Sequence, residues 1–123
     1  MLSETQISEF KRQGYLMLPG LVSEVVRGDL LSQLQEWVEE SRQHEANYGF
    51  DTPNGKARFD LEQGHTSSNP RLRRVANPTD ISEIYQRLLF EGDLPEVVSD
   101  LIGPNVFFHH CKLNNKFPGA GTR

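Results

Sequence analysis

The stretch from Gly103 to Gly119 reads GPNVFFHHCKLNNKFPG, and its pattern decides how the rest of the chain is interpreted. The Gly-Pro pair is typical of a helix end, and the apolar residues after it predict a strand from Val106 to Phe117. Side chains alternate between the two faces of a strand. One predicted face contains Phe107, His109, Cys111 and Leu113, and the other contains Val106, Phe108, His110, Lys112, Asn114 and Lys116.

The second of these faces changes from apolar to polar along its length. Lys112 would supply a positive charge, while His110 and Asn114 would supply directed hydrogen bonds. This end of the face therefore suits a small anionic ligand. The alternative is that the face simply meets solvent, as one face of many antiparallel strands does.

A basic cluster, Arg71-Leu72-Arg73-Arg74, lies upstream of this strand. Arg74 leads into an Asn-Pro turn where the chain re-enters regular structure, so its side chain is expected to point inward. Arg71 and Arg73 are expected in a solvated turn.

Capping signals predict four helices. Ser3 and Gln6 fit a capping box, and Gly14 suits the left-handed end of the first helix. Asp-x-x-Glu starts at Asp80 and Asp93 predict the third and fourth helices, the last of which ends at Gly103. Ser23 begins the second and longest helix, whose apolar stripe is expected at Val26, Leu30, Leu34, Trp37 and Ser41, with Leu31 and Val38 beside it.

Between these helices the sequence predicts two short strands and one long loop. The apolar run 15–18, closed by Pro19-Gly20, is predicted to be a strand and a turn. Residues 47–70 are polar and rich in Gly, Asn and Ser, which predicts a long loop interrupted by a strand at 57–61. Loops of this length in compact domains are usually functional or disordered.

Composition excludes several classes of protein. The 123 residues suffice for at most one domain, and the net charge of −4 argues against binding to nucleic acid or to an anionic membrane. No apolar run is long enough to span a bilayer, and the N-terminal residues are not expected to be a secretory signal. The single cysteine, Cys111, has no partner for an internal disulfide. We therefore expect a cytoplasmic protein, and the sequence does not predict its oligomeric state.

The histidines do not predict a metal site in this chain. None of the four is followed two residues later by Asp or Glu, as in the His-x-Asp/Glu pair of an iron facial triad. His109 and His110 would point to opposite faces of a regular strand, so they are not expected to bind one metal together. His109 is expected to be a partly buried structural histidine, and Cys111 a small buried apolar residue.

Four stretches resemble the phytanoyl-CoA dioxygenase family of Fe(II)- and 2-oxoglutarate-dependent oxygenases. Their order and spacing carry the resemblance across nearly the whole chain. The stretches are Phe10 to Gly20, with GYLMLPG at its end; RFDLEQGH at 58–65; LRRVANP at 72–78; and LIGP at 101–104 with HHCKLNNK at 109–116.

The resemblance implies an α+β fold, with N-terminal helices and the first strands of a double-stranded β-helix (jelly-roll or cupin-like) whose barrel is largely missing. Residues 1–123 would be the N-terminal portion of a single domain. By position, Arg74 falls where relatives place a basic residue near 2-oxoglutarate, and His110, Lys112 and Asn114 fall on strand positions that touch this cosubstrate.

The resemblance also implies what this stretch lacks. In the family, the His-x-Asp motif follows shortly after the Pro-Gly segment, and a distal His and Arg come much later. The chain is therefore expected to be the N-terminal part of a dioxygenase that hydroxylates a small organic substrate. No catalytic residue is assigned in it, and iron is not expected to bind it alone.

Two other functions remain open at this point. One is a non-catalytic, helix-rich binding or assembly module that has lost the barrel. The other is a binder of small acids that uses Lys112 without iron.

Overall fold

The computed structural model describes residues 1–119 and has an α+β fold, as predicted. It contains four helices and one open, three-stranded antiparallel sheet. The helices are α1 (Glu4–Gln13), α2 (Glu24–Ser41), α3 (Glu83–Phe90) and α4 (Asp93–Ile102), and a 3-10 turn spans Pro78–Asp80. The strands are β1 (Phe59–Leu61), β2 (Leu72–Ala76) and β3 (Lys112–Asn114), with β2 in the centre.

The first two helices begin where local signals predicted, and the first also ends at its predicted glycine. The Ser3 hydroxyl accepts a hydrogen bond from the Gln6 amide, and the Gln6 side chain accepts one from the Ser3 amide, which completes a capping box. Gly14 ends α1 in the left-handed conformation, with φ of 84°. Ser23 caps α2 through a hydrogen bond from the Val26 amide.

The register between β1 and β2 contains a bulge. Asp60 pairs with Arg74, but the next residue, Leu61, pairs with Leu72. Arg73 is therefore an extra residue of β2, and such an insertion re-aims the side chains around it. The prediction of a solvated turn at Arg73 was wrong, because residues 72–76 form the central strand.

The two strand pairs of the sheet differ in the length of chain that joins them. Residues 62–71 connect β1 to β2, whereas residues 77–111, with α3 and α4 among them, connect β2 to β3. In the second pair, Arg74 lies opposite Asn114, Val75 opposite Leu113 and Ala76 opposite Lys112.

The core lies between one face of the sheet and helices α2 and α3. Trp37 of α2 stacks on Tyr85 of α3, with ring centroids 5.6 Å apart, and meets the edge of Phe59 of β1 at 6.2 Å. Leu72 and Val75 of β2 are fully buried beneath these rings. The stripe predicted on α2 is thus confirmed at Trp37, which anchors the helix to the sheet.

His65 links the end of α2 to the loop between β1 and β2. Its Nδ1 accepts a hydrogen bond from the Arg71 amide, so its Nε2 carries the proton and donates to the carbonyl oxygens of Ser41 and His44, each 3.0 Å away. The imidazole therefore has a structural role.

Two predicted strands are wrong or too long. Residues 15–18 form no strand, and Tyr15 and Met17 are 60% and 76% exposed, because no neighbouring strand pairs with them. The strand predicted from Val106 to Phe117 is regular only at Lys112–Asn114, where β2 supplies a partner. The side chain of Phe107 is 97% exposed.

Among residues 1–119, no helix is both long and apolar enough to cross a bilayer.

Replacing Trp37 with Ala is expected to lower the free energy of unfolding by about 3–5 kcal/mol, because the cavity removes contacts with Phe59 and Tyr85. Urea unfolding followed by circular dichroism would measure the loss. Met17→Ala, at an exposed position, is the control and should change stability by less than about 0.5 kcal/mol. Equal effects of the two substitutions would contradict this description of the core.

Burial raises the pKa of Tyr48 to about 12, and the nearby Glu40 carboxylate adds to the rise. Because the folded-state pKa is above the ordinary value of 10.0, this tyrosine contributes stability that is complete below pH 10 and lost as the pH rises towards 12. Tyr48→Phe should remove this loss. Unfolding experiments across that range would reveal it, and an unchanged alkaline slope in the variant would count against it.

Candidate functional site

Arg74 lies at the centre of the sheet on the face opposite the aromatic core. Asp60 of β1 and Asn114 of β3 are its neighbours on either side, so the three side chains form one row across the strands. Lys112 lies on the same face two residues before Asn114. The predicted sharing of one face by Lys112 and Asn114 is confirmed.

The Asp60 carboxylate holds two arginines together. Its side chain is only 8% exposed and makes ion pairs with Arg73, at 3.2 Å, and with Arg74. Both guanidinium groups reach the same carboxylate because Arg73 is the extra residue of the bulge. Arg74 is therefore held in place, while about a third of its side chain remains exposed.

A cleft of about 450 Å³ opens beside this row. Five basic side chains line it, and no Asp or Glu does, although the chain as a whole is acidic. The basic residues are Lys56, Arg74, His109, His110 and Lys112, and the remaining lining residues are Thr52, Pro53, Asn54, Ala57, Ala76, Asn77 and Cys111. The electrostatic character of the cleft favours a small anion.

Asn77 fixes the segment that carries the histidines. It adopts a left-handed conformation, with φ of 46°, that few residues other than Gly and Asn tolerate. Its amide donates to the Cys111 carbonyl at 2.8 Å, and its side-chain oxygen accepts from the Cys111 amide at 3.2 Å. Residues 109–112 are thereby tied to the end of β2.

A buried arginine stabilises the end of β2 and the turn that follows it. Arg58 is 3% exposed, and its Nη1 donates to the carbonyl oxygens of Ala76 and Asn77 and to the Asp80 carboxylate, at 2.9, 3.0 and 3.2 Å. These bonds fix the turn after β2, and Ala76 and Asn77 of this segment line the cleft. The Arg58 Nε has no partner among the described residues.

The opposite wall of the cleft is the loop that enters β1. Gly49 closes this loop by accepting a hydrogen bond from the Arg58 amide at 2.9 Å. Its φ is 78°, and a Cβ there would lie 2.9 Å from the Phe59 ring, so only glycine fits. Within the loop, the Thr52 hydroxyl donates to the Lys56 carbonyl at 2.6 Å, which forms a compact turn.

The predicted site residues divide between this cleft and a neighbouring groove. Arg74, His110 and Lys112 line the cleft together. Asn114 belongs to the same row as Arg74 but lines the groove against α2, with Lys116 and Phe117.

Two expectations about the segment before β3 were wrong. His109 is exposed rather than partly buried, and Cys111 is half-buried rather than enclosed. The rings of His109 and His110 do not point to opposite faces, because this segment is not a regular strand; their centroids are 4.4 Å apart. Within residues 1–119, however, no group of three His, Cys, Asp or Glu side chains is placed to hold a metal ion.

No pattern in the sequence directly indicated that Lys56, Arg58 or Asp60 belong to this site. Arg58 and Asp60 are oppositely charged residues two apart in the strand predicted at 57–61, a spacing that places them on one face of a strand. That spacing was the available signal, but their partners lie 13 to 22 residues away.

Comparison with known proteins finds sequence similarity to a hydroxylase. The chain is 28% identical over 120 residues to the methylphosphonate hydroxylase of Gimesia maris, and the match covers 98% of this chain and 42% of the relative. The chain thus spans about two-fifths of the length of the curated relative that it matches. No protein-family model matches the chain, and no solved structure is significantly similar to it.

Replacing Asp60 with Asn should destabilise the sheet by about 2 kcal/mol, because a nearly buried carboxylate would no longer compensate two arginines that are themselves partly solvated. Glu24→Gln removes one partner of the exposed Glu24–Arg27 pair and is the matched control, with an expected change below about 0.5 kcal/mol. Chemical denaturation of both variants would measure the difference. A loss in Asp60→Asn no greater than in the control would show that the cluster is not structural.

Proposed function

We propose that this chain is the N-terminal part of an Fe(II)- and 2-oxoglutarate-dependent dioxygenase of the phytanoyl-CoA dioxygenase type. The observation that carries the proposal is the cleft lined by Arg74, His110 and Lys112 without any carboxylate. The similarity to a hydroxylase along almost the whole chain supports it. The sheet would then be the first part of a double-stranded β-helix.

The chemistry of the cleft fits one end of 2-oxoglutarate. Lys112 supplies a compact ammonium, Arg74 a partly exposed guanidinium, and His110 an imidazole donor, all of which bind carboxylate oxygens well. Asn114 would contribute from the adjoining groove as the row continues along β3. Lys112 makes no ion pair within residues 1–119, so its charge is available to a ligand.

The iron ligands, unlike the residues proposed to bind the cosubstrate, are not found among residues 1–119. Residues 1–119 offer no cluster that fits the metal, so its ligands would come from the part of the protein that corresponds to the remainder of the relative. Bound there, iron would supply the O2 chemistry that couples hydroxylation of the substrate to conversion of 2-oxoglutarate into succinate and CO2. The residues described here would bind and orient the cosubstrate.

Exposed apolar surface supports a larger parent domain rather than a self-contained module. Phe107 and Ile102 are 97% and 68% exposed, and Phe90 packs against the edge of Phe108 nearby. A patch of this kind marks a surface that packs against other protein. The outer edge of β3 has no partner strand among residues 1–119, which also suits a sheet that continues.

The relative's name provides the candidate substrate class. That protein is called a methylphosphonate hydroxylase, and we propose a small organic anion of the phosphonate type for the parent of this chain. The substrate would share the cationic environment that binds the cosubstrate.

In the parent protein, with the sequence downstream of residue 123 included, iron-dependent formation of succinate from 2-oxoglutarate is the direct test. Lys112→Gln should raise KM for 2-oxoglutarate roughly tenfold or more, because it removes a charge-assisted hydrogen bond. Lys11→Gln, which removes the same charge from an exposed position of α1 outside the cleft, should leave KM unchanged. Absence of turnover in the wild type, together with no His-x-Asp motif downstream, would refute the proposal.

A further inference from the structure

The loop wall of the cleft carries a cation that the cosubstrate assignment does not use. Lys56 lines the cleft from the turn at 52–56, whereas Arg74 and Lys112 line it from the sheet. Lys56 makes no ion pair within residues 1–119. The cleft therefore has a positive group on each of two independent structural elements.

The turn that presents Lys56 is internally ordered. The Gly55 amide donates to the Thr52 carbonyl at 3.1 Å, the Lys56 amide donates to the Asn54 side-chain oxygen at 3.0 Å, and the Thr52 hydroxyl donates to the Lys56 carbonyl. These bonds fix the backbone from which the lysine extends. Fixing the backbone lowers the entropy lost when a ligand orders the side chain.

The loop is also fixed at its base. Gly49 and Arg58 close it with a backbone hydrogen bond, and Gly49 packs against Phe59, a core residue. The loop wall is thereby joined to the aromatic core, and the hydrogen bond from the Ala76 amide to the Arg58 carbonyl at 2.8 Å joins it to β2 as well. Its position relative to the opposite wall is set by packing.

We infer that Lys56 and the turn at 52–56 bind the anionic group of the substrate, opposite the cosubstrate-binding wall of β2 and β3. A volume of about 450 Å³ accommodates two small anions. The ligand class is a small tetrahedral or carboxylate anion carried by an organic group, with the phosphonate as the leading case. The inference rests on the proposed function for the identity of the second ligand, not for the binding of an anion.

Methylphosphonate titrated into the full chain is the test, with binding followed by amide NMR shifts and by calorimetry. Shifts should concentrate at Gly55 and Lys56, and Lys56→Gln should weaken binding roughly tenfold, the loss expected for a charge-assisted hydrogen bond. Lys116→Gln is the matched control, because it removes the same charge from a residue outside the cleft.

Three results would overturn the inference: no binding to the wild-type chain, equal binding to Lys56→Gln and wild type, or equal weakening by Lys116→Gln, which would indicate general electrostatic attraction. Turnover of 2-oxoglutarate by the parent separates this inference from the proposed function. If Lys56→Gln leaves turnover unchanged at every concentration of methylphosphonate, the role of Lys56 is refuted and the proposed dioxygenase function is not. Lys56-dependent binding without turnover would remove only the dioxygenase.

Discussion

The carboxylate of Asp60 is the constraint on which the polar side of this structure depends. An almost buried carboxylate is costly unless it is paired, and here two arginines from one strand pair with it. That arrangement requires the bulge, since a regular strand would send Arg73 and Arg74 to opposite faces. The same bulge keeps Leu72 on the core side, so charge pairing and core packing are satisfied together.

The position of Arg74 then determines where a ligand-binding surface can form. With its guanidinium held by Asp60, the arginine presents a fixed, partly exposed cation at the edge of the cleft. Asn77 ties the segment before β3 to the end of β2 and so brings His110 and Lys112 to the same place. The cationic character of the cleft is thus a product of strand pairing, not of a cluster in the sequence.

Sequence reasoning succeeded where the determining interactions are local. The capping box at Ser3 and the glycine end at Gly14 depend on residues within one helical turn, and both were predicted correctly. The alternation of side chains correctly placed Lys112 and Asn114 on one face of β3, because alternation holds wherever a strand is regular. It failed at His109 and His110, where no neighbouring strand enforces that regularity.

The site residues that the sequence did not predict are those whose burial depends on partners far away in the chain. Burial of Arg58 depends on carbonyl groups 18 and 19 residues away, and that of Asp60 on arginines 13 and 14 residues away. A polar residue in an isolated three-residue strand looks solvated until its partners are known. The inward orientation expected for Arg74 is not observed, because its side chain lies on the face opposite the core and is as exposed as that of Arg73.

The unequal connections between the strands have a consequence for the order of assembly. Short-range pairing generally forms faster than pairing across a long connection. The β1–β2 pair and its Asp60 contacts should therefore fold first, and β3 should join only after α3 and α4 have packed. The side of the cleft formed by His110 and Lys112 would then be lost before the side formed by Arg74 and the loop that enters β1 during partial unfolding.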